Sequence, residues 1–110
     1  MQFILIVDED RQLIRLMSPL PFNMSEEKRV EGAIATCVAS FSLADGNFDY
    51  DFTDGSIFFR LTASFRGSLI GENLLQYMIS AACTIVDEYN DRFLMLDKGL
   101  MTIEKFIELG

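Results

Sequence analysis

The chain has 110 residues, half of them hydrophobic and ten of them Phe, so it can build the core of one folded domain and is too apolar to be disordered. Seventeen acids against nine bases give a net charge of −8, which repels phosphate backbones and argues against a nucleic-acid partner. Histidine is absent, which removes the commonest general base and zinc ligand.

No apolar run approaches the roughly 20 residues needed to span a bilayer, and the start, MQFILIVDEDR, lacks a basic leader and a small-residue cleavage site. A cytoplasmic location without a membrane partner is the expectation. Cys37 and Cys83 form no CxxC motif and no disulfide framework. Each falls on an apolar helix face, where cysteine behaves as a small buried hydrophobe.

Residues 2 to 7, QFILIV, and 11 to 17, RQLIRLM, read as a hairpin bent at Asp8, Glu9 and Asp10. With Glu9 and Asp10 as the central turn residues, Phe3, Leu5, Val7, Ile14 and Leu16 share one face. Ile4, Ile6, Leu13 and Met17 share the other, with Arg15. Both faces are apolar, whereas an antiparallel sheet usually leaves one face polar; one side therefore meets either a covering element or another chain.

Pro19 and Pro21 are expected to stop the second strand, since proline cannot donate to a ladder. Asn23 or Ser25 can then cap a helix that opens with Glu26 and Glu27 and runs to about Phe41. Val30, Ala33, Ile34, Cys37, Val38 and Phe41 recur at helical spacing and predict its buried face. Gly32 inside it marks a weakness or a close approach to a neighbour.

The next segment, FDYDFTDGSIFFR, alternates strictly. Phe48, Tyr50 and Phe52 point one way and Asp49, Asp51 and Thr53 the other. Asp54-Gly55 between alternating strands predicts a type I′ hairpin turn. That register sets Asp49 opposite Arg60 as a cross-strand ion pair and leaves Phe58, a large apolar residue, on the polar face.

As a calcium loop the same stretch fails: counted from Asp49, the sixth position is Asp54 rather than glycine, and the twelfth is Arg60 rather than glutamate. Asp49 and Asp51 stand about 7 Å apart on one strand face, a spacing that a surface Mg²⁺ or Ca²⁺ could bridge. A divalent-ion or ligand sensor using these two residues is the alternative function. As an acid–base pair they lack the burial or like-charge coupling that raises a carboxylate pKa. No catalytic residue, resident metal or cofactor is expected, and the protein is read as a non-enzyme.

Residues 66 to 71 form a loop with two glycines, which does not match a phosphate-binding pattern. Residues 72 to about 90 read as the longest helix. FLML, 93 to 96, either extends it or makes a short strand, and Gly99 ends that segment. Thr102 caps a last short helix with Ile103, Phe106 and Ile107 on one side.

Three segments taken together, PLPFNMSEEKR (19 to 29), GNFDYDFTDGSIFFRLT (46 to 62) and CTIVDEYNDRF (83 to 93), resemble the YbjN family. The resemblance covers residues 2 to 96 of a single domain spanning 1–110, with 97–110 as an extension. It implies an α+β fold of order β-β-α-β-β-α(-α), an antiparallel sheet with helices packed on one face, similar to type III secretion chaperones and commonly dimeric. It implies no catalytic residues. The chain departs from the family in starting almost directly in a strand. The expectation is a protein-binding, chaperone-like or regulatory module, a homodimer with an unidentified protein client. Ile4, Ile6, Leu13, Met17 and Phe58 are the candidate interface, and Asp54, Gly55, Asp49 and Arg60 the structural turn and ion pair.

Overall fold

The computed structural model describes residues 2–109. The fold is α+β: a four-stranded antiparallel sheet and three α-helices. In chain order these are β1 (Ile4–Asp8), β2 (Leu13–Asn23), α1 (Arg29–Ser42), β3 (Asn47–Asp51), β4 (Ser56–Ser64), α2 (Glu72–Asp97) and α3 (Ile103–Leu109). The strands lie in the order β1-β2-β4-β3, which makes β1 and β3 the two edges.

Alternation decides which face is covered. Ile14, Leu16, Ser18 and Leu20 of β2 and Ile57, Phe59 and Leu61 of β4 are buried, while the residues between them are not. All three helices therefore lie on one side. α1 packs on β3, α2 lies across β2 and β4, and α3 rests on α1. The aromatic centre of the core is Phe48, with ring centroids 5.6 Å from Phe59, 5.4 Å from Tyr89 and 5.3 Å from Phe93. Phe106 of α3 closes it at 5.2 Å from Phe93. Ser18, buried among these apolar side chains, is satisfied by donating to the Gln2 carbonyl at 2.7 Å.

Both hairpins differ in register from the sequence expectation, each by two residues. In the first, Leu5 pairs with Leu16 and Val7 with Ile14. The loop is Glu9–Gln12 rather than a two-residue turn, with Asp8 Oδ1 accepting from the Arg11 N–H and Gln12 at φ 56°. In the second, Asp49 pairs with Phe58 and Asp51 with Ser56, so the loop is Phe52–Gly55. Only Gly55 of that loop has positive φ, at 76°, so the turn is not type I′, which needs two such residues. Gly55 donates to the Asp51 carbonyl at 2.8 Å and accepts from the Met24 N–H at 2.8 Å. A Cβ there would collide with the Met24 carbonyl oxygen, so glycine is required by space as well as by φ. A two-residue slip conserves parity, so each side chain keeps its expected face.

Pro19 and Pro21 do not end β2, which continues to Asn23. Both lie beyond Met17, the last β2 residue that β1 pairs, where the missing N–H faces an open edge. The β2–β4 register shifts between Pro19 and Asn23, and the strand bends there.

The buried face of α1 is only in part the expected one, and of the large residues named for it Val38 packs, half-buried, against the core. Gly32, Ala35, Thr36 and Ala39 face the core, whereas Val30, Ile34 and Phe41 are exposed, Phe41 at 92%. Cys37 is exposed with them, and Cys83 is half-buried rather than enclosed. The cause is close approach: a Cβ on Gly32 would lie 2.7 Å from the Tyr50 hydroxyl and 2.8 Å from Met24 Cγ. Small residues are what fit against β3, so the larger ones turn outward. Neither Asn23 nor Ser25 caps α1 through its side chain; a 3-10 turn, Glu26–Lys28, precedes it, and the Ser25 N–H donates to Asp97 Oδ1 at 2.7 Å.

FLML extends α2 to Asp97. The helix then stops at Gly99, φ 74°, where Leu100 N–H bonds to the Met95 carbonyl and Gly99 N–H to the Leu96 carbonyl. This is a Schellman stop. Thr102 Oγ1 accepts from the Lys105 N–H at 3.1 Å and starts α3, in which Phe106 is buried and Ile107 is exposed.

Candidate interaction surface

The sheet face opposite the helices carries Ile4 and Ile6 of β1, Leu13, Arg15, Met17 and Pro19 of β2, and Phe58, Arg60 and Thr62 of β4. Pairing brings Ile4 beside Met17, Met17 beside Arg60, and Phe58 beside Pro19. The candidate residues Ile4, Ile6, Leu13, Met17 and Phe58 thus share this face. Ile4 and Ile6 are exposed; Leu13, Met17 and Phe58 are half-buried. Phe58 is less open than expected, because the register shift sets it between Asp49 and Pro19.

The other side of β1 is open too. Phe3, Leu5 and Val7 lie on the helix side of the sheet, yet all three are exposed. β2 is the only element against which β1 packs substantially. β1 is therefore apolar and solvent-facing on both sides at once, which the two-faced pattern of residues 2–7 had signalled. The outward stripe of α1 was missed. Its only signal is that Val30–Ser42 carries a single charge, Glu31, so neither side of the helix is polar.

The aspartates of the β3–β4 hairpin are engaged. Arg60 grips Asp49 through Nε to Oδ2 at 3.1 Å and Nη2 to Oδ1 at 3.2 Å, and Asn47 Nδ2 adds 2.6 Å to Oδ1. Arg60 stands opposite Asn47, so it reaches Asp49 diagonally along the same face. Asp51 Oδ1 accepts from the Thr53 N–H and hydroxyl at 2.9 and 2.6 Å. Asp54 Oδ1 accepts from the Ser56 N–H at 2.9 Å; hydrogen bonding to Ser56 holds its carboxyl below the usual carboxylate range. These carboxylates order a turn, and no group of three or more His, Cys, Asp or Glu suited to a metal occurs among the described residues.

A cleft of about 480 Å³ lies between the proline segment of β2 and α2, lined by Gln2, Pro19, Leu20, Pro21, Val86, Asp87, Asn90 and Asp91. Its polar groups are two carboxylates and two amides, with no nucleophile or cation to work with them. Burial pushes the Tyr50 hydroxyl up, Arg29 pulls the other way, and Tyr50 donates to the Arg29 carbonyl at 2.8 Å. That is a structural tie between β3 and α1.

No helix among the described residues is long and apolar enough to cross a membrane. No family model, curated protein or solved structure matches the chain.

Proposed function

We propose that the protein is a non-enzymatic protein-binding module, chaperone-like or regulatory, that works as a homodimer and receives a protein client. One observation carries this reading: β1 is apolar on both faces and exposed on both, with Ile4 at 57%, and it continues into Leu13, Met17 and Phe58 across the outer sheet face. An exposed apolar strand flanked by these residues, with Arg15 and Arg60 set among them, is a protein-contact surface rather than a solvent surface. The YbjN resemblance and its type III secretion chaperone-like architecture agree with the reading. Engagement of Asp49 and Asp51 by neighbouring side chains gives no support to an ion sensor. Sedimentation velocity at rising concentration tests the proposal: a dimer is expected, and a strict monomer at high micromolar concentration removes the homodimer.

A further inference from the structure

We infer that β1 pairs edge to edge, antiparallel, with β1 of a second copy, joining two four-stranded sheets into one continuous sheet with all helices on the same side. This rests on the homodimer reading and assigns it a geometry. Sheets in soluble proteins protect their edges with charge, cover or shortness, because an open edge templates another strand. The β3 edge has such protection. Asp49 and Asp51 lie along it, α1 covers it, and Ser40 of α1 satisfies its backbone by accepting from Phe48 N–H at 2.9 Å and donating to Phe48 O at 3.2 Å. The β1 edge has only its own shortness and the single charge of its last residue, Asp8. From Phe3 to Val7 it carries no charge, and among the described residues no helix packs on it substantially.

A second copy fits this edge for two reasons. Across a two-fold axis perpendicular to the sheet, residues of like parity face one another. Leu5 and Val7 then meet their counterparts on the helix side, and Ile4 and Ile6 meet theirs on the outer side, so both uncovered faces gain apolar neighbours together. Charge selects the direction. Asp8, Glu9 and Asp10 crowd one end of the strand. Antiparallel pairing sends the two acidic turns to opposite ends of the joint, whereas parallel pairing would abut them in a chain of net charge −8. The contact is isologous and closes on itself, leaving only the protected β3 edges at the ends of the joined sheet. The strip is small beside the ~800 Å² per partner of a standard interface, so the dimer is concentration-dependent.

Amide hydrogen exchange on the wild-type chain, at a concentration where sedimentation shows dimer, reads the geometry directly. In an unpaired β1, alternate N–H groups point into solvent and exchange freely; edge pairing protects them. A Leu5→Lys, Ile6→Lys variant changes two exposed side chains, one on each face, and is expected to lose the dimer while keeping the monomer's melting transition. Phe58→Lys, on the outer face away from the edge, is expected to keep it. A dimer whose outward β1 amides stay unprotected, or one that Phe58→Lys dissolves, overturns edge pairing in favour of face-to-face packing and leaves the homodimer reading intact. A monomer at every concentration overturns both. If the double variant fails to fold, the wild-type exchange pattern decides alone.

Discussion

The two edges of this sheet are strands of equal length, five residues each, and they are treated in opposite ways. β3 sends Phe48 and Tyr50 under α1 and lines its other face with Asn47, Asp49 and Asp51. β1 offers apolar side chains to both sides, and among the described residues no helix packs on it substantially. Edge position alone therefore does not decide how a strand is stabilised. What decides it is whether a helix is fastened over it, and here the fastenings are specific: Ser40 to the Phe48 backbone, Tyr50 to the Arg29 carbonyl, and Arg29 to the Met24 and Thr53 carbonyls at 3.2 and 2.9 Å.

The contrast is broken most directly at its strong end. Phe48→Ala removes the ring shared by Phe59, Tyr89 and Phe93 and is expected to cost about 3–5 kcal/mol in denaturant unfolding. Leu5→Ala, at the bare edge, is expected to cost under ~1 kcal/mol when measured on the monomer. Equal losses would mean that β1 is as much a part of the core as β3.

Gly32→Ala pushes a methyl into the Tyr50 hydroxyl and Met24 and is expected to destabilise by about 1–3 kcal/mol through overpacking. A thermal melt that is unchanged would show that α1 can lift off β3 freely. Ser40→Ala leaves the Phe48 N–H and carbonyl without their partner on α1. The expected loss is about 1–3 kcal/mol, with faster exchange at the Phe48 amide as the second readout.

Asp49→Asn, which weakens a partly solvated pair with Arg60, should lower stability by only ~0.2–1 kcal/mol. The smallest effect is set by pH. The Asp54 carboxyl is held below its ordinary value in the folded chain, so the folded state favours its charged form. Its contribution is present above the unfolded-state pKa and is lost as pH falls through the folded value. The slope of melting temperature against pH in that acidic window should flatten in Asp54→Ala.

Much of this contrast could be read from residues alone, and the failures are instructive. Alternation placed Phe48 and Tyr50 on one face and Asp49 with Arg60 on the other, and that survived a register two residues away because parity survives it. The turn itself was misjudged because Gly55 supplies its positive φ as the last residue of a four-residue loop, not as half of a two-residue one. α1 was misread for a different reason. Periodicity favours the largest apolar residues, Val30, Ile34 and Phe41, whereas burial against Tyr50 required the smallest, Gly32 and Ala35. A helix with no polar side gives pattern nothing to choose between. The continuation of β2 through Pro19 and Pro21 depended on where β1 stops pairing, which is a property of the neighbour.

The isolation of β1 has a consequence for how the molecule opens. The strand contributes no residue to the buried core and leans on a single neighbour, so its detachment is a local event that leaves β2, β4, β3 and the helices assembled. Such an opening draws on a small part of the global unfolding free energy. The Glu9–Gln12 connection then becomes a hinge, and at high protein concentration the freed segment can settle on the vacated β2 rim of another molecule. The same strand that invites pairing is thus the one the fold can exchange.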